Sequence, residues 1–230
     1  MTLELPPMRP LGAARISCDP LDAHPAYTTL LGDAAATGCC PVWVSERGVK
    51  MLEPAEDAQA VVAAVGRREP AGFLADHWPR NCPTCGCRES FEIFTGLAPP
   101  TTPGYEPLAV AATSQHAGRR SHLAIVPASR PADAVAVLGW RGTCNRHDDV
   151  TGISAVLRSW EERFGAVLVQ IDFMTLWLSV AAPPLTAQEC RAVAAEHFAF
   201  CPDVDSEDPR PLRHYAATLA GRSWWRFWWD

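Results

Sequence analysis

The chain has 230 residues, of which 48% are hydrophobic and 20% are charged. This composition is typical of a globular protein and excludes an intrinsically disordered chain. The formal net charge is -6, so the protein has no broad cationic surface to attract nucleic acid or an anionic membrane. We therefore expect neither nucleic acid nor a membrane as a partner.

Residues 1–97 carry mixed signals that predict an irregular α/β part. Residues 24–37 favour a helix, residues 41–45 favour a short strand, and residues 54–65 favour a second helix that ends at Gly66. The first residues lack the basic and apolar regions of a secretory signal, and no apolar stretch reaches the roughly 20 residues of a membrane helix. A cytoplasmic location is the resulting expectation.

Four residues of the types that bind metals follow in the same part of the chain. Cys82 and Cys85 form a C-x-x-C pair in a Pro/Gly turn, which can place two thiolates on one ion. Cys87 can be the third ligand, and His77 or a more distant residue can be the fourth. Because tetrahedral sites of nitrogen and sulfur prefer zinc, zinc is the expected cofactor. Free thiols in a loop and a thioredoxin-like redox role are the alternatives, although the motif does not open a helix after a strand.

Residues 98–120 are rich in Pro, Thr, Gly and Ala, which predicts a linker before a second domain over residues 121–230. Apolar periodicity in this second domain is clear. It predicts strands at 121–127, 166–171, 175–181 and 223–229, and helices at 131–138, 149–164, 186–200 and 210–219. The resulting βαββαβ order predicts an α+β fold with a ferredoxin-like layer, an antiparallel sheet with helices on one face.

Several strings in this domain resemble one bacterial family. SWEERFGA, EHFAFCPD and a terminal FWWD are similar to the domain of unknown function family 4253, which is common in actinobacteria. The resemblance covers residues 121–230. The family has no assigned activity, so the resemblance implies no catalytic residue, and the zinc prediction depends on cysteine spacing alone.

The polar turn at residues 139–149 is one candidate site, because it contains His147 and Asp148 next to other polar side chains. A binding site or a catalytic site could use this composition. The alternative is structural, since Asp148 or Asp149 would make a good N-cap for the helix that follows.

The end of the predicted helix at residues 186–200 is a second candidate. His197 and Cys201 are four residues apart and share one stripe, so they could form a Cys/His nucleophile pair or two metal ligands. Cysteine is one of the most frequently buried residue types, which favours a stripe that packs on the sheet. Asp203 is a further candidate, or it caps the chain after Pro202.

The terminal run WWRFWWD could stack on bases or sugars, but its alternation favours a buried strand. No P-loop, G-x-G-x-x-G, G-x-S-x-G or H-E-x-x-H motif is present. The leading hypothesis is therefore a protein-interaction module, an accessory or immunity-type partner of another protein, with a structural zinc site. The alternative is a metal-dependent enzyme, a hydrolase, with a site between the turn at 139–149 and the helix end at 196–203.

Overall fold

The structure is a computed structural model that describes residues 3–78, 94–113, 120–205 and 212–230. Within these ranges the chain forms one seven-stranded sheet with helices packed on both faces. No helix in the described ranges is long and apolar enough to cross a membrane.

The elements are numbered in chain order. The strands are β1 (Met8–Leu11), β2 (Ala14–Ser17), β3 (Cys40–Ser45), β4 (Ser121–Val126), β5 (Ala166–Ile171), β6 (Thr175–Val180) and β7 (Trp224–Trp228). The helices are α1 (Ala26–Gly32), α2 (Ala34–Thr37), α3 (Ala58–Val65), α4 (Pro70–Asp76), α5 (Pro107–Thr113), α6 (Ala134–Val137), α7 (Val150–Phe164), α8 (Ala187–Phe200) and α9 (Leu212–Thr218). Short 3-10 turns lie at Gly48–Met51, Pro131–Asp133 and Pro202–Asp205.

The strand order is β1-β2-β4-β3-β5-β6-β7, and every neighbouring pair is antiparallel except β3 and β5. Strand β3 lies in the middle, with Trp43 opposite Leu123 of β4 on one side and opposite Gln170 of β5 on the other. The α+β class is confirmed. The ferredoxin-like layer is not confirmed, because β3 separates β4 from β5 and helices cover both faces of the sheet.

Alternate side chains of β3 show how the two faces are filled. Val42 and Val44 point into the larger core cluster, which α3, α4 and α6 to α9 cover, whereas Trp43 points into a smaller cluster on the other face. The smaller cluster is closed by residues of α1 and α5, including Tyr27 and Ala111. Successive side chains of a strand point to opposite faces, so a strand that is buried on both faces needs apolar residues at nearly every position. The sequence of β3 is accordingly mostly apolar.

The helices predicted at residues 149–164 and 186–200 are confirmed as α7 and α8, together with the residues that begin and end them. The helix predicted at 131–138 is a 3-10 turn followed by the short α6, and the helix predicted at 210–219 is described from Leu212 as α9. Asp149 caps α7 by accepting a hydrogen bond from the Gly152 backbone at 2.8 Å, and Gly165 ends it with a φ of 56°. Thr186 and Glu189 form the capping box at the start of α8. Local signals therefore fix these two helices.

The first half differs more from the sequence expectation. The helix predicted at residues 24–37 divides at Asp33 into α1 and α2, and the helix predicted from Pro54 begins at Ala58, after the N-cap Asp57. Strands β1 and β2 and helix α4 were not predicted, and α5 lies within the range predicted as a linker. These elements are short, so their periodicity is weak, and their stability depends on packing against the sheet.

We expect Gly139→Ala to lower the free energy of unfolding by about 3 kcal/mol or more. Gly139 has a φ of 57°, and a Cβ there would overlap the carbonyl oxygen of Glu53. Gly38 is a matched control, because its φ is 69° but a Cβ would meet open space. Gly38→Ala should cost only about 1–2 kcal/mol. Equal losses for the two variants in denaturant unfolding would contradict this packing.

Candidate functional site

The turn at residues 139–149 and the end of α8 lie against each other, as the enzyme hypothesis requires. The Arg146 guanidinium pairs with Asp203, with 2.6 Å between Nη2 and Oδ1 and 3.3 Å between Nε and Oδ2. The backbone N–H of Asp230 also donates to Asp203 Oδ2 at 3.2 Å. Asp203 therefore joins the turn to the C-terminal residues, and these donors already occupy its carboxylate.

His147 belongs to this turn, but its side chain points towards α4. Its ring lies edge-on to Phe73, at 5.4 Å between centroids, and to His77, at 4.6 Å. Burial, followed by the nearby His77, lowers the pKa of His147 to about 4, so the ring is neutral at neutral pH. Its Nδ1 atom is buried and has no hydrogen-bond partner among the residues that the structure describes.

The two carboxylates after His147 have separate positions. Asp149 is the N-cap of α7 and also pairs with Arg68. Burial acts to raise the pKa of Asp149. Hydrogen bonds from Gly152 and Thr151 and the charge of Arg68 outweigh this effect and hold the pKa of Asp149 below its ordinary value. Asp148 is exposed at the surface. The capping role predicted for this pair of residues is thus performed by Asp149.

His197 lies in the core. Its ring is completely buried between Trp160, Trp225 and Phe227, at centroid distances of 5.0, 4.4 and 4.8 Å. A hydrogen bond of 2.9 Å joins its Nδ1 atom to the Tyr215 hydroxyl. Burial and the charges of two nearby arginines lower the pKa of His197 well below 6.5, so the imidazole is held neutral.

Cys201 shares the buried face of α8 with His197 but has its own partner. Its thiol donates to the Trp228 carbonyl at 3.0 Å. Burial, followed by the charge of Asp203, raises the pKa of the Cys201 thiol far above neutral pH. A catalytic cysteine needs the thiolate, which this position disfavours. The stripe predicted to pack on the sheet is therefore what the structure shows for these two side chains.

The strongest polar feature of this region was not among the predicted site residues. Glu196 has no exposed surface and accepts hydrogen bonds from the Ala98 backbone at 2.6 Å and from Trp160 Nε1 at 2.8 Å. Arg163 forms a bidentate ion pair with this carboxylate, with 2.7 Å between Nη1 and Oε1 and 2.6 Å between Nη2 and Oε2. The available signal was an acidic residue inside the apolar stretch EHFAF, because a buried carboxylate requires a cation.

The predicted zinc ligands are only partly within the structure. Cys82, Cys85 and Cys87 lie outside the described residues, whereas His77 is described and forms the C-cap of α4. Within the described ranges, no group of three or more His, Cys, Asp or Glu side chains is arranged to hold a metal ion. The described part brings together two of the candidates, His77 and His147.

The mixed sheet and the buried polar network between α7 and α8 define an α+β domain. Residues 122–230 match the model of a known family, described as Domain of unknown function (DUF4253). The resemblance predicted for residues 121–230 is confirmed. The chain matches neither a curated protein nor a solved structure.

Glu196→Ala should lower the free energy of unfolding by about 3–5 kcal/mol, because it leaves Arg163, whose side chain is only 13% exposed, without its counter-ion. Glu162→Ala is the control, since Glu162 pairs with Arg130 while 65% of its side chain is exposed. That change should cost no more than about 1 kcal/mol. Urea unfolding of both variants measures the difference, and a loss at Glu196 as small as the control would argue against a sealed pair.

Below pH 6.5, His197 should make the protein less stable as the pH falls. The pKa of His197 is lower in the folded chain than in the unfolded chain, so below about pH 6.5 the unfolded chain binds a proton that the folded chain does not bind. The contribution of His197 to the free energy of unfolding is therefore fully present above about pH 6.5 and decreases below it. In chelator-containing buffer, the wild-type free energy of unfolding should fall more steeply than that of His197→Gln, by up to about 1.4 kcal/mol per pH unit. Parallel profiles between pH 5 and 6.5 would show that His197 is accessible to protons.

Proposed function

We propose that the chain is a non-catalytic protein-binding module, in which the edge strand β7 accepts an extended acidic segment of a partner protein. The observation that carries the proposal is an exposed cation on this strand, flanked by half-buried tryptophans. The hydrolase alternative has less support, because His197 and Cys201 are buried and Asp203 is already paired.

Among the residues that the structure describes, only one side of β7 has a neighbouring strand. Strand β7 is the last strand of the sheet, and the Ser223 carbonyl and the Trp229 N–H bond to the neighbouring β6 segment. By the alternation of an antiparallel pair, the backbone groups of Trp224, Arg226 and Trp228 point away from β6. The Trp228 carbonyl already accepts a hydrogen bond from the Cys201 thiol. Within the described ranges the outward backbone groups of Trp224 and Arg226 have no backbone partner, so they can pair with another strand.

The side chains on this strand divide by face. Trp225, Phe227 and Trp229 are buried in the main core, whereas Trp224 and Trp228 are half-buried and Arg226 is exposed. An arginine between two tryptophans presents a cation within an apolar surface. Aromatic residues and arginine are the types enriched at the centres of protein interfaces.

Charge indicates which partner fits. The Arg226 guanidinium lies 5.5 Å from the centre of the Trp177 ring, and none of the described carboxylates forms an ion pair with it. A carboxylate from an added strand would complete this arrangement, with the Trp177 face holding the guanidinium in place.

A second copy of the chain fits less well. Two β7 strands that pair antiparallel over all five residues would place Arg226 opposite Arg226, and like charges directly opposite destabilise a strand pair. The other edge of the sheet is also a poorer acceptor. Strand β1 contains Pro10, which has no N–H to donate to an added strand.

Selection of binding peptides tests this proposal. We expect a displayed library of random ten-residue peptides to yield, on the wild-type protein, sequences in which Asp or Glu alternates with β-branched or aromatic residues. Arg226→Glu should weaken the selected peptides at least about tenfold, because it replaces an attraction with a repulsion.

Arg9→Glu is the matched control, since Arg9 is an exposed arginine on the opposite edge strand. It should leave peptide affinity within about twofold, which corresponds to less than 0.5 kcal/mol. Failure to recover any peptide, recovery of basic peptides, or equal binding by Arg226→Glu would overturn the proposal. A wild-type dimer that Arg226→Glu abolishes would assign the edge to a second copy instead.

A further inference from the structure

Two imidazoles meet at the surface where α4 approaches the turn before α7. His77 ends α4 and His147 lies in the turn, and their rings are 4.6 Å apart at an interplanar angle of 61°. Phe73 borders both rings, at 4.1 Å from His77 and 5.4 Å from His147. His77 and His147 are 70 positions apart in the chain, so the fold and not the local sequence brings the two imidazoles together.

The hydrogen bonds show which ring nitrogens are committed. His77 Nδ1 lies 2.8 Å from the Phe73 carbonyl oxygen, and a carbonyl only accepts, so Nδ1 carries the hydrogen. In a neutral imidazole the Nε2 atom of His77 then holds the lone pair. This is the arrangement found in metal-binding histidines, where a backbone carbonyl orients the ring from behind.

The second ring has a nitrogen without a partner. His147 Nδ1 is buried and makes no hydrogen bond to any residue within the described ranges. A buried polar atom with no partner costs free energy, and a bound cation would remove that cost. The His147 backbone is fixed in place by hydrogen bonds with Thr143, so the ring is presented by a tight turn and not by a free loop.

We infer that His77 and His147 are two ligands of a transition-metal site, with zinc as the expected occupant. Neutral imidazole nitrogens are ligands that zinc accepts. A metal ion bound by both histidines would link α4 to the turn before α7. This inference does not depend on the partner-binding surface proposed for β7.

Cobalt(II) titration of the reduced, chelator-treated protein tests the site, because tetrahedral cobalt absorbs in the visible range and zinc then displaces it. We expect one equivalent of cobalt to bind to the wild type. His77→Gln and His147→Gln should each weaken binding at least about tenfold. His24→Gln is the control, because His24 lies before α1 on the other face of the sheet and bonds only locally.

A second measurement separates the histidines from the cysteines. If the motif supplies thiolates, the wild type should show a sulfur-to-cobalt charge-transfer band that Cys82→Ser/Cys85→Ser loses. Absence of that band in a wild type whose binding depends on both histidines would retain the imidazole pair and exclude the thiolates.

The inference fails if the wild type binds no cobalt or zinc, or if both histidine variants bind as tightly as the wild type. Thermal unfolding of the metal-free proteins shows that each variant is folded. Because only the folded state would hold the metal, zinc should raise the midpoint for the wild type and for His24→Gln by more than for the other two histidine variants.

Discussion

The buried pair of Glu196 and Arg163 is the constraint on which the helical layer depends. A carboxylate without solvent exposure is tolerated only if its lone pairs are satisfied, and here two side chains and one backbone N–H satisfy them. The donors come from α7 and from residue 98, while the acceptor is on α8. Three separate segments are therefore held in one relative position, and a small shift of any one would leave a charge unpaired in the core.

This pair also explains why the end of α8 is not an open catalytic site. Glu196 fixes the helix against Trp160, and the next residue, His197, is pressed against the same ring and the inner face of β7. Burial in these surroundings holds the His197 imidazole neutral and separates it from any substrate. The same strand that seals the core on one face carries Arg226 on the other, so sealing the core and presenting a surface are two consequences of one alternating sequence.

Local sequence signals account for the elements that were predicted correctly. Helices α7 and α8 have clear caps, and the hairpin of β5 and β6 joins neighbours in the chain. The position of β3 between β4 and β5 could not be predicted, because it is a long-range pairing that β3 could satisfy with several strands. Strands β1 and β2 have four residues each, and the first contains Pro10, so their sequences carry little strand signal.

The candidate site shows the same limit at the level of single residues. The four-residue spacing of His197 and Cys201 correctly predicted that they share one side of the α8 end. The spacing does not show whether that side faces solvent or the core. For His147 the decisive fact is its neighbour, since a turn can direct a side chain towards either of the segments beside it. Arg146 points to Asp203 and the adjacent His147 points to His77, so consecutive residues of one turn bond to different parts of the fold. Both histidines retain a buried ring nitrogen without a partner within the described residues, Nε2 of His197 and Nδ1 of His147. What differs is the neighbour, since the His197 ring is completely buried among aromatic rings, whereas the His147 ring lies against the second imidazole, that of His77. A second ligand beside it, and not residue type, separates a candidate ligand from a structural histidine.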